Sequence, residues 1–282
     1  MQQVTKLEEL DALVSGWRRE GRVIGFVPTM GNLHEGHHSL VERARRDADR
    51  VVASIFVNPT QFGPNEDFGR YPRTPQADAE GLARVGCDVL FMPSVQTMYP
   101  YGPHGCVQVR VPGITDLLDG AHRPGHFDGV ATVVARLFNM VRPDVAVFGT
   151  KDYQQLQVIH YLVRDLAFPI RIVAGETRRE PDGLAMSSRN QYLSGPERER
   201  APMLHQVLQW VRSSAPRGGP PEVLEREAAR RLAEAGFDVD YVSIRRLDLG
   251  QPADAAESGL IALVAARLGS TRLIDNLALD AG

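Results

Sequence analysis

The stretch from Val23 to Asp49 constrains this chain more than any other. An apolar run, Val23 to Val27, reads as a short buried strand, and Pro28 and Gly31 then break it. An amphipathic segment from about His37 to Asp49 predicts a helix. A strand, a glycine-bearing turn and a helix N-terminus make a natural phosphate site. The first helical N–H groups have no intrahelical partner, and the helix dipole adds partial positive charge there. The turn itself carries Met30, Gly31, Asn32, Leu33, His34, Glu35, Gly36 and His37. Gly36 lies between the two histidines and leaves room for a phosphate or ribose to approach the backbone. The imidazoles can donate to phosphoryl oxygens as charge builds on them. The same residues also describe a helix-capping turn with two solvated histidines, or a pair sharing a metal ion. All three readings are open from this segment alone.

The rest of the chain repeats the strand-then-helix pattern. Val51 to Val57 is β-branched and nearly continuous, as parallel strands covered on both faces are. It ends in a loop, Asn58 to Pro64. Pro75 to Val85 reads as a helix and Val89 to Met92 as a strand. Cys106 to Val111 reads as another strand, Val130 to Val141 as a helix and Val145 to Phe148 as a strand. Tyr153 to Leu166 is helical, and Ile170 to Ala174 closes the series as a strand. This alternation predicts an α/β fold with a doubly wound, Rossmann-like parallel sheet. Ligands in such sheets sit beyond the carboxyl ends of the strands, where the loops from Pro28 and Asn58 begin. After Glu176 the character changes. Helical segments at Gly195–Arg212 and Pro221–Ala235 flank a Pro/Gly/Ser-rich connector, and Val239–Leu247 and Leu260–Ala266 read as strands. The expected organisation is a nucleotide-binding domain over 1–177 and a smaller α+β domain over 178–282.

Net charge is −3 over 282 residues, so no overall basic excess points to nucleic acid. Two isolated cysteines, Cys87 and Cys106, make neither a disulfide framework nor a zinc site. The charged N-terminus is unlike a signal peptide and no apolar run spans a membrane, so the expected location is the cytoplasm.

Two further segments suit phosphate. Gly149, Thr150, Lys151 and Asp152 follow a strand and open a helix, with Gln155 one turn on from Lys151. A capped helix with Asp152 in its first turn accounts for them equally well. Met186, Ser187, Ser188 and Arg189 lie in an aperiodic stretch at the proposed boundary, which reads either as a phosphate clamp or as a polar linker. His122 and His126, taken with His34 and His37, keep a metal-hydrolase reading open, although carboxylate-rich ligand sets such as H-E-x-x-H are missing.

PTMGNLHEGHHSL, FVNPTQF, YPRT, HRPGHF, FGTKDYQQ and DGLAMSSRNQYLS occur in this order and at separations that resemble the pantoate–β-alanine ligase family. The likeness runs from about residue 4 to beyond 270. It implies a nucleotidylyltransferase-like superfold, with His34-Glu-Gly-His37 as a HIGH signature and Met186 to Arg189 as a KMSKS-like loop. It also implies ATP-dependent condensation of (R)-pantoate with β-alanine through a pantoyl adenylate, releasing AMP and diphosphate. Carried over by position, Met30 to His37, Gly149 to Asp152 and Met186 to Arg189 are the expected ATP residues. His34, His37, Lys151 and Arg189 are the expected catalytic group. Arg178 stands where the family commonly has valine, so a backbone contact to ATP is expected there. Gln61, Gln155, Met30 and Asn58 are the expected substrate residues. Mg²⁺ is expected chiefly on ATP, with Asp78 the candidate for a direct protein ligand, and a homodimer is expected. A nucleotidylyltransferase that keeps the adenylyl group on its product, or a non-catalytic nucleotide sensor, are the alternatives; AMP release separates the first and turnover the second.

Overall fold

The computed structural model describes residues 1–64 and 66–280. Within them the chain divides into two compact units, one of Met1–Thr150 with Gln155–Glu176, the other of Lys151–Gln154 with Thr177 onward.

The first unit is a parallel sheet with helices. Its elements are β1 (Gln2–Val4), α1 (Leu7–Arg19), β2 (Ile24–Thr29), α2 (Glu35–Arg45), β3 (Arg50–Ile55), α3 (Pro75–Arg84) and β4 (Val89–Phe91). The one-turn helices α4 (Val95–Met98) and α5 (Asp119–His122) precede α6 (His126–Val141), β5 (Val145–Gly149), α7 (Tyr153–Asp165) and β6 (Arg171–Gly175). The strand order is β1-β4-β3-β2-β5-β6, and every pairing is parallel. The expected α/β architecture is therefore borne out. The chain winds one way from β2 to β4 and the other way through β5 and β6, so the order reverses between β2 and β5. There the two strands pair only through Gly25↔Val145 and Phe26↔Ala146, whereas β2 stays paired with β3 as far as Thr29↔Ile55. The carboxyl ends of β2 and β5 thus part, and Pro28, which cannot donate to a ladder, falls beyond the last β5 partner. A core of Val27, Val41, Val51, Leu82, Leu90 and Val147, each almost fully buried, packs α2 and α3 against the strands.

The second unit holds α8 (Gly195–Arg200), α9 (Met203–Ser214), α10 (Pro221–Glu234) and an antiparallel meander of β7 (Asp238–Arg246), β8 (Leu260–Leu268) and β9 (Thr271–Ala278). Leu204, Leu208 and Val211 of α9 and Leu232 of α10 bury against Ile244, Ala262 and Val264.

Several elements differ from the sequence reading. Cys106 to Val111 forms no strand; Val107 is 80% exposed, and the Val109 N–H donates to Thr132 Oγ1. Its alternation is strand-like, but a strand needs a partner, and the edge beside β4 is taken by β1. The helix expected over Gly195–Arg212 is two helices, because Pro202 cannot continue the first. Residues 151–154, assigned above to the first domain, pack as part of the second unit. No helix among the described residues is long and apolar enough to cross a membrane.

Candidate active site

The turn after β2 is held open by one carboxylate. Asp78 lies on α3, 3% exposed, among buried Ala79 and Leu82. Its Oδ2 accepts from the Asn32 N–H (2.9 Å), and its Oδ1 accepts from the Leu33 N–H (2.7 Å) and the Thr74 hydroxyl (3.0 Å). These bonds fix a turn with positive φ at both Gly31 (85°), which glycine adopts freely, and Asn32 (51°), which asparagine tolerates better than most residues. Gly31 is required twice over: a Cβ there would also lie 3.0 Å from Ile55 and 3.2 Å from Asp78 Oδ2. From sequence Asp78 is a candidate metal ligand; its bonds to the turn are visible only in the fold. The available signal was a lone carboxylate on the buried face of a helix.

Beyond the turn, the two histidines cap α2 reciprocally. His34 is the N-cap in extended conformation, and its Nδ1 accepts from the Gly36 N–H at 3.1 Å. His37 Nδ1 accepts from the His34 N–H at 3.3 Å, and the ring centroids are 4.1 Å apart. In a neutral imidazole with Nδ1 accepting, the proton must sit on Nε2, so each ring presents Nε2–H as its donor. Capping and donation are therefore not alternatives here. The helix starts at Glu35, two residues earlier than the sequence suggests, which puts Gly36 in its first turn. Exposed Glu35 pairs with His38 Nδ1 at 3.6 Å.

Asn58, Gln61 and Met30 come together after β3. Asn58 is 1% exposed and fully engaged. Its Nδ2 donates to Gln61 Oε1 (3.0 Å) and the Gly129 carbonyl (3.1 Å). Its Oδ1 accepts from the Tyr99 hydroxyl (2.7 Å) and from the Thr60 hydroxyl and N–H. Gln61 Nε2 donates to Met30 Sδ at 3.3 Å. Asn58 therefore has no polar capacity left over and serves to hold Gln61 in place. α6 comes against this turn at Gly129, where a Cβ would sit 2.4 Å from the Thr60 carbonyl.

His122 and His126 do not join the other histidines as ligands of a metal, and no cluster of three or more His, Cys, Asp or Glu side chains among the described residues could hold one. His126 instead accepts from Arg123 Nη1 at Nε2 (3.0 Å) and donates from Nδ1 to the Gln61 carbonyl (2.8 Å). Arg123 in turn makes a bidentate pair with Glu66, at 2.6 and 2.7 Å. Burial, reinforced by the Arg123 charge, lowers the His126 pKa from 6.5 to about 4. Burial would raise the Glu66 carboxyl, but Arg123 overrides it and holds the pKa at about 2. Both shifts act in the same direction. Between pH 6.5 and 4 the unfolded chain binds a proton at His126 that the folded chain refuses, and below pH 4.5 the same holds for Glu66. Stability is expected to fall on acidification from pH 6.5 to 4, and less steeply in His126→Asn than in the wild type. Urea melts across that range check this; parallel slopes would refute it.

Gly149 ends β5, Thr150 follows, and partly buried Gln155 lies in the first turns of α7. In the second unit, the Lys151 ammonium is 3.9 Å from Asp152 Oδ1, and its side chain is 17% exposed. The Arg178 carbonyl accepts from the Met186 N–H at 2.9 Å, while the Arg178 side chain is exposed. Ser187 caps the short 3-10 turn that carries Ser188 and Arg189, its Oγ accepting from the Arg189 N–H at 3.3 Å.

The model of the pantoate-beta-alanine ligase family matches residues 2–278. The chain belongs to that family. Curated pantothenate synthetases from Xanthomonas oryzae and Xylella fastidiosa are similar to it over nearly their whole length. The first is 59% identical over 98% of this chain and 99% of the relative; the second is 62% identical over 97% and 98%. Among solved structures, the pantothenate synthetase of Thermus thermophilus is 48% identical with a TM-score of 0.92, covering 99% of both chains. The pantoate-beta-alanine ligase of Francisella tularensis, complexed with beta-gamma ATP and beta-alanine, is 33% identical with a TM-score of 0.85, over 100% of this chain and 99% of that one. As a pantoate–β-alanine ligase, the chain condenses (R)-pantoate with β-alanine at the expense of ATP, through a pantoyl adenylate.

Proposed function

We propose that His34 and His37, through Nε2–H, stabilise the charge that develops when the pantoate carboxylate attacks the α-phosphorus of ATP. The observation that carries this reading is their reciprocal cap on α2, which fixes both tautomers at a helix N-terminus. In the first step a carboxylate oxygen bonds to the α-phosphorus and the bridge to the β-phosphate breaks, so diphosphate leaves. Such a transfer needs positioning and charge stabilisation rather than a protein nucleophile. In the second step the β-alanine amine attacks the acyl carbon, a proton is lost from nitrogen, and AMP departs. Lys151 and Arg189 are proposed to neutralise the phosphates. Met30 to Gly36, Gly149 to Asp152, Met186 to Ser188 and the Arg178 backbone are proposed as the remaining ATP contacts. Gln61 and Gln155, whose amides both donate and accept, are proposed to take pantoate.

Mg²⁺ enters in this proposal as part of the ATP substrate. Asp78 is read as a scaffold for the turn rather than as a metal ligand, because its two oxygens already accept from the Asn32 and Leu33 N–H groups and the Thr74 hydroxyl. A cytoplasmic homodimer is proposed as the working state.

The order of chemistry is tested by isotope exchange. Labelled diphosphate is expected to enter ATP when pantoate is present and β-alanine absent, and not to enter when pantoate is omitted. Exchange that required β-alanine would argue for a concerted three-substrate reaction. Exchange with ATP alone would indicate an adenylylated enzyme and overturn the roles given to the histidines.

A further inference from the structure

The second unit contains a buried charge on a strand that the sequence reading does not single out. Along β9 the inward positions are Thr271, Leu273 and Asp275, and the Asp275 side chain is only 2% exposed. A buried carboxylate must be paired. Arg179 pairs it with both terminal nitrogens, at 2.6 and 2.9 Å, and also donates to the Gly183 carbonyl (3.1 Å) and the Asn276 carbonyl (3.2 Å). Arg179 belongs to a hairpin closed by Met186 N–H to Arg178 carbonyl (2.9 Å) and Glu180 N–H to Leu184 carbonyl (2.8 Å). That hairpin leads directly into Ser187, Ser188 and Arg189. The loop is thus anchored on β9 at Asp275.

The next residue along β9 holds a second segment. Asn276 is 8% exposed, and its Nδ2 donates to the Lys151 carbonyl at 2.8 Å. Two residues on from Lys151, the Tyr153 hydroxyl donates to the Leu247 carbonyl at 2.8 Å, a second tether to the same unit. These bonds give a physical reason why Lys151–Gln154 pack with the second unit while the chain on either side packs with the first.

We infer that Asn276, braced by the Asp275–Arg179 pair, is a positioning residue for ATP binding: it sets Lys151 on the same strand that anchors the Ser187–Arg189 loop. The inference rests on the reading above that Lys151 contacts ATP. Donation to the Lys151 carbonyl fixes the orientation of that peptide, and with it the direction in which the lysine stem leaves the backbone. A lysine whose stem is fixed loses less conformational freedom on meeting a phosphate, so ATP binds more tightly without any new contact. Arg179 and Asp275 supply rigidity at the other end, because a bidentate pair holds β9 in one place. The two phosphate-directed segments are then set by one strand rather than independently.

The test is ATP binding to the full-length protein by titration calorimetry, with circular dichroism to confirm folding. Loss of one neutral hydrogen bond that positions the lysine is expected to weaken ATP binding by about tenfold in Asn276→Ala. Tyr153→Phe removes an exposed bond at the other tether and keeps the aromatic ring, so it supplies a folded variant; about threefold weaker binding is expected. The deciding readout is the Lys151→Ala background. Both substitutions are expected to have less than about a twofold effect there, because residues acting through one group are non-additive. Full effects persisting without the Lys151 side chain would assign both residues to folding alone and overturn the proposal. Unchanged binding in both single variants would overturn it too. Unchanged binding in Lys151→Ala itself would instead remove the reading of Lys151 as an ATP contact, and the proposal with it.

Discussion

The His37→Ala variant is expected to form pantothenate with kcat lowered by about 100- to 1000-fold, the usual effect of removing one preorganised donor from an anionic transition state. The same substitution removes the acceptor that holds the His34 N–H, and a lost helix cap typically costs about 1 kcal/mol of stability. Activity and stability are therefore confounded in alanine, and a second variant separates them. In His37→Asn the side-chain oxygen can accept from the His34 N–H, as asparagine does at helix starts, but the imidazole Nε2–H is gone. Stability by urea unfolding is expected to return while kcat stays low. Recovery of both in asparagine would mean that the cap was all that mattered. A His37→Ala enzyme turning over near the wild-type rate would sink the catalytic assignment outright.

What sequence reveals about this molecule depends on how far apart in the chain the partners lie. The strand, turn and helix around His34 are local, and their period and punctuation were enough to place the strand ends and the helix start within two residues, though the helix stops at Arg45 rather than Asp49. Five of the six parallel strands were legible for the same reason: strands buried on both faces read as apolar runs, whereas β1, Gln2–Val4, has two exposed polar residues and gives no such run. β9 was not legible. Of the residues on its core face, Thr271 and Asp275 are polar, so the alternation that marks a strand is hidden by the pair Asp275 makes with Arg179, 96 positions earlier. Cys106 to Val111 fails in the opposite sense, with strand-like alternation and no neighbour among the described residues to pair with. At the site, Asn58 and Gln61 lie three residues apart, but the saturation of Asn58 depends on Tyr99 and Gly129, 41 and 71 positions away. The histidines could be read as donors, caps or a metal pair. Only the geometry shows the capping, with each Nδ1 accepting from the backbone, an arrangement compatible with the proposed donation from Nε2–H.

Asp78→Ala is expected to be as damaging as any substitution in the histidine motif, although Asp78 is proposed to touch no substrate. Its carboxylate binds the Asn32 and Leu33 N–H groups, and losing it leaves two part-buried donors unsatisfied beside a cavity. Each such group costs about 1–3 kcal/mol, so a loss on the order of 3 kcal/mol is expected from urea unfolding. Asn32 is at positive φ, a conformation that asparagine tolerates but that the Asp78 bonds fix in place. Released from Asp78, the turn is expected to relax, carrying His34 and His37 out of register with the phosphates. Misplacement by about 1 Å can cost roughly 100-fold in rate, so kcat is expected to drop that far even in the fraction that stays folded. Asp78→Asn is the sharper probe. Its volume is unchanged, but one acceptor becomes an amide that must face an N–H or the Thr74 hydroxyl, and two N–H donors cannot satisfy one another. A ligand role and a scaffolding role then diverge in their response to Mg²⁺. If Asp78 held the metal, activity lost in Asp78→Asn would be recovered in part at high Mg²⁺, with stability near that of the wild type. If it holds the turn, stability and activity fall together and added Mg²⁺ restores neither; recovery by metal alone would overturn the assignment made here.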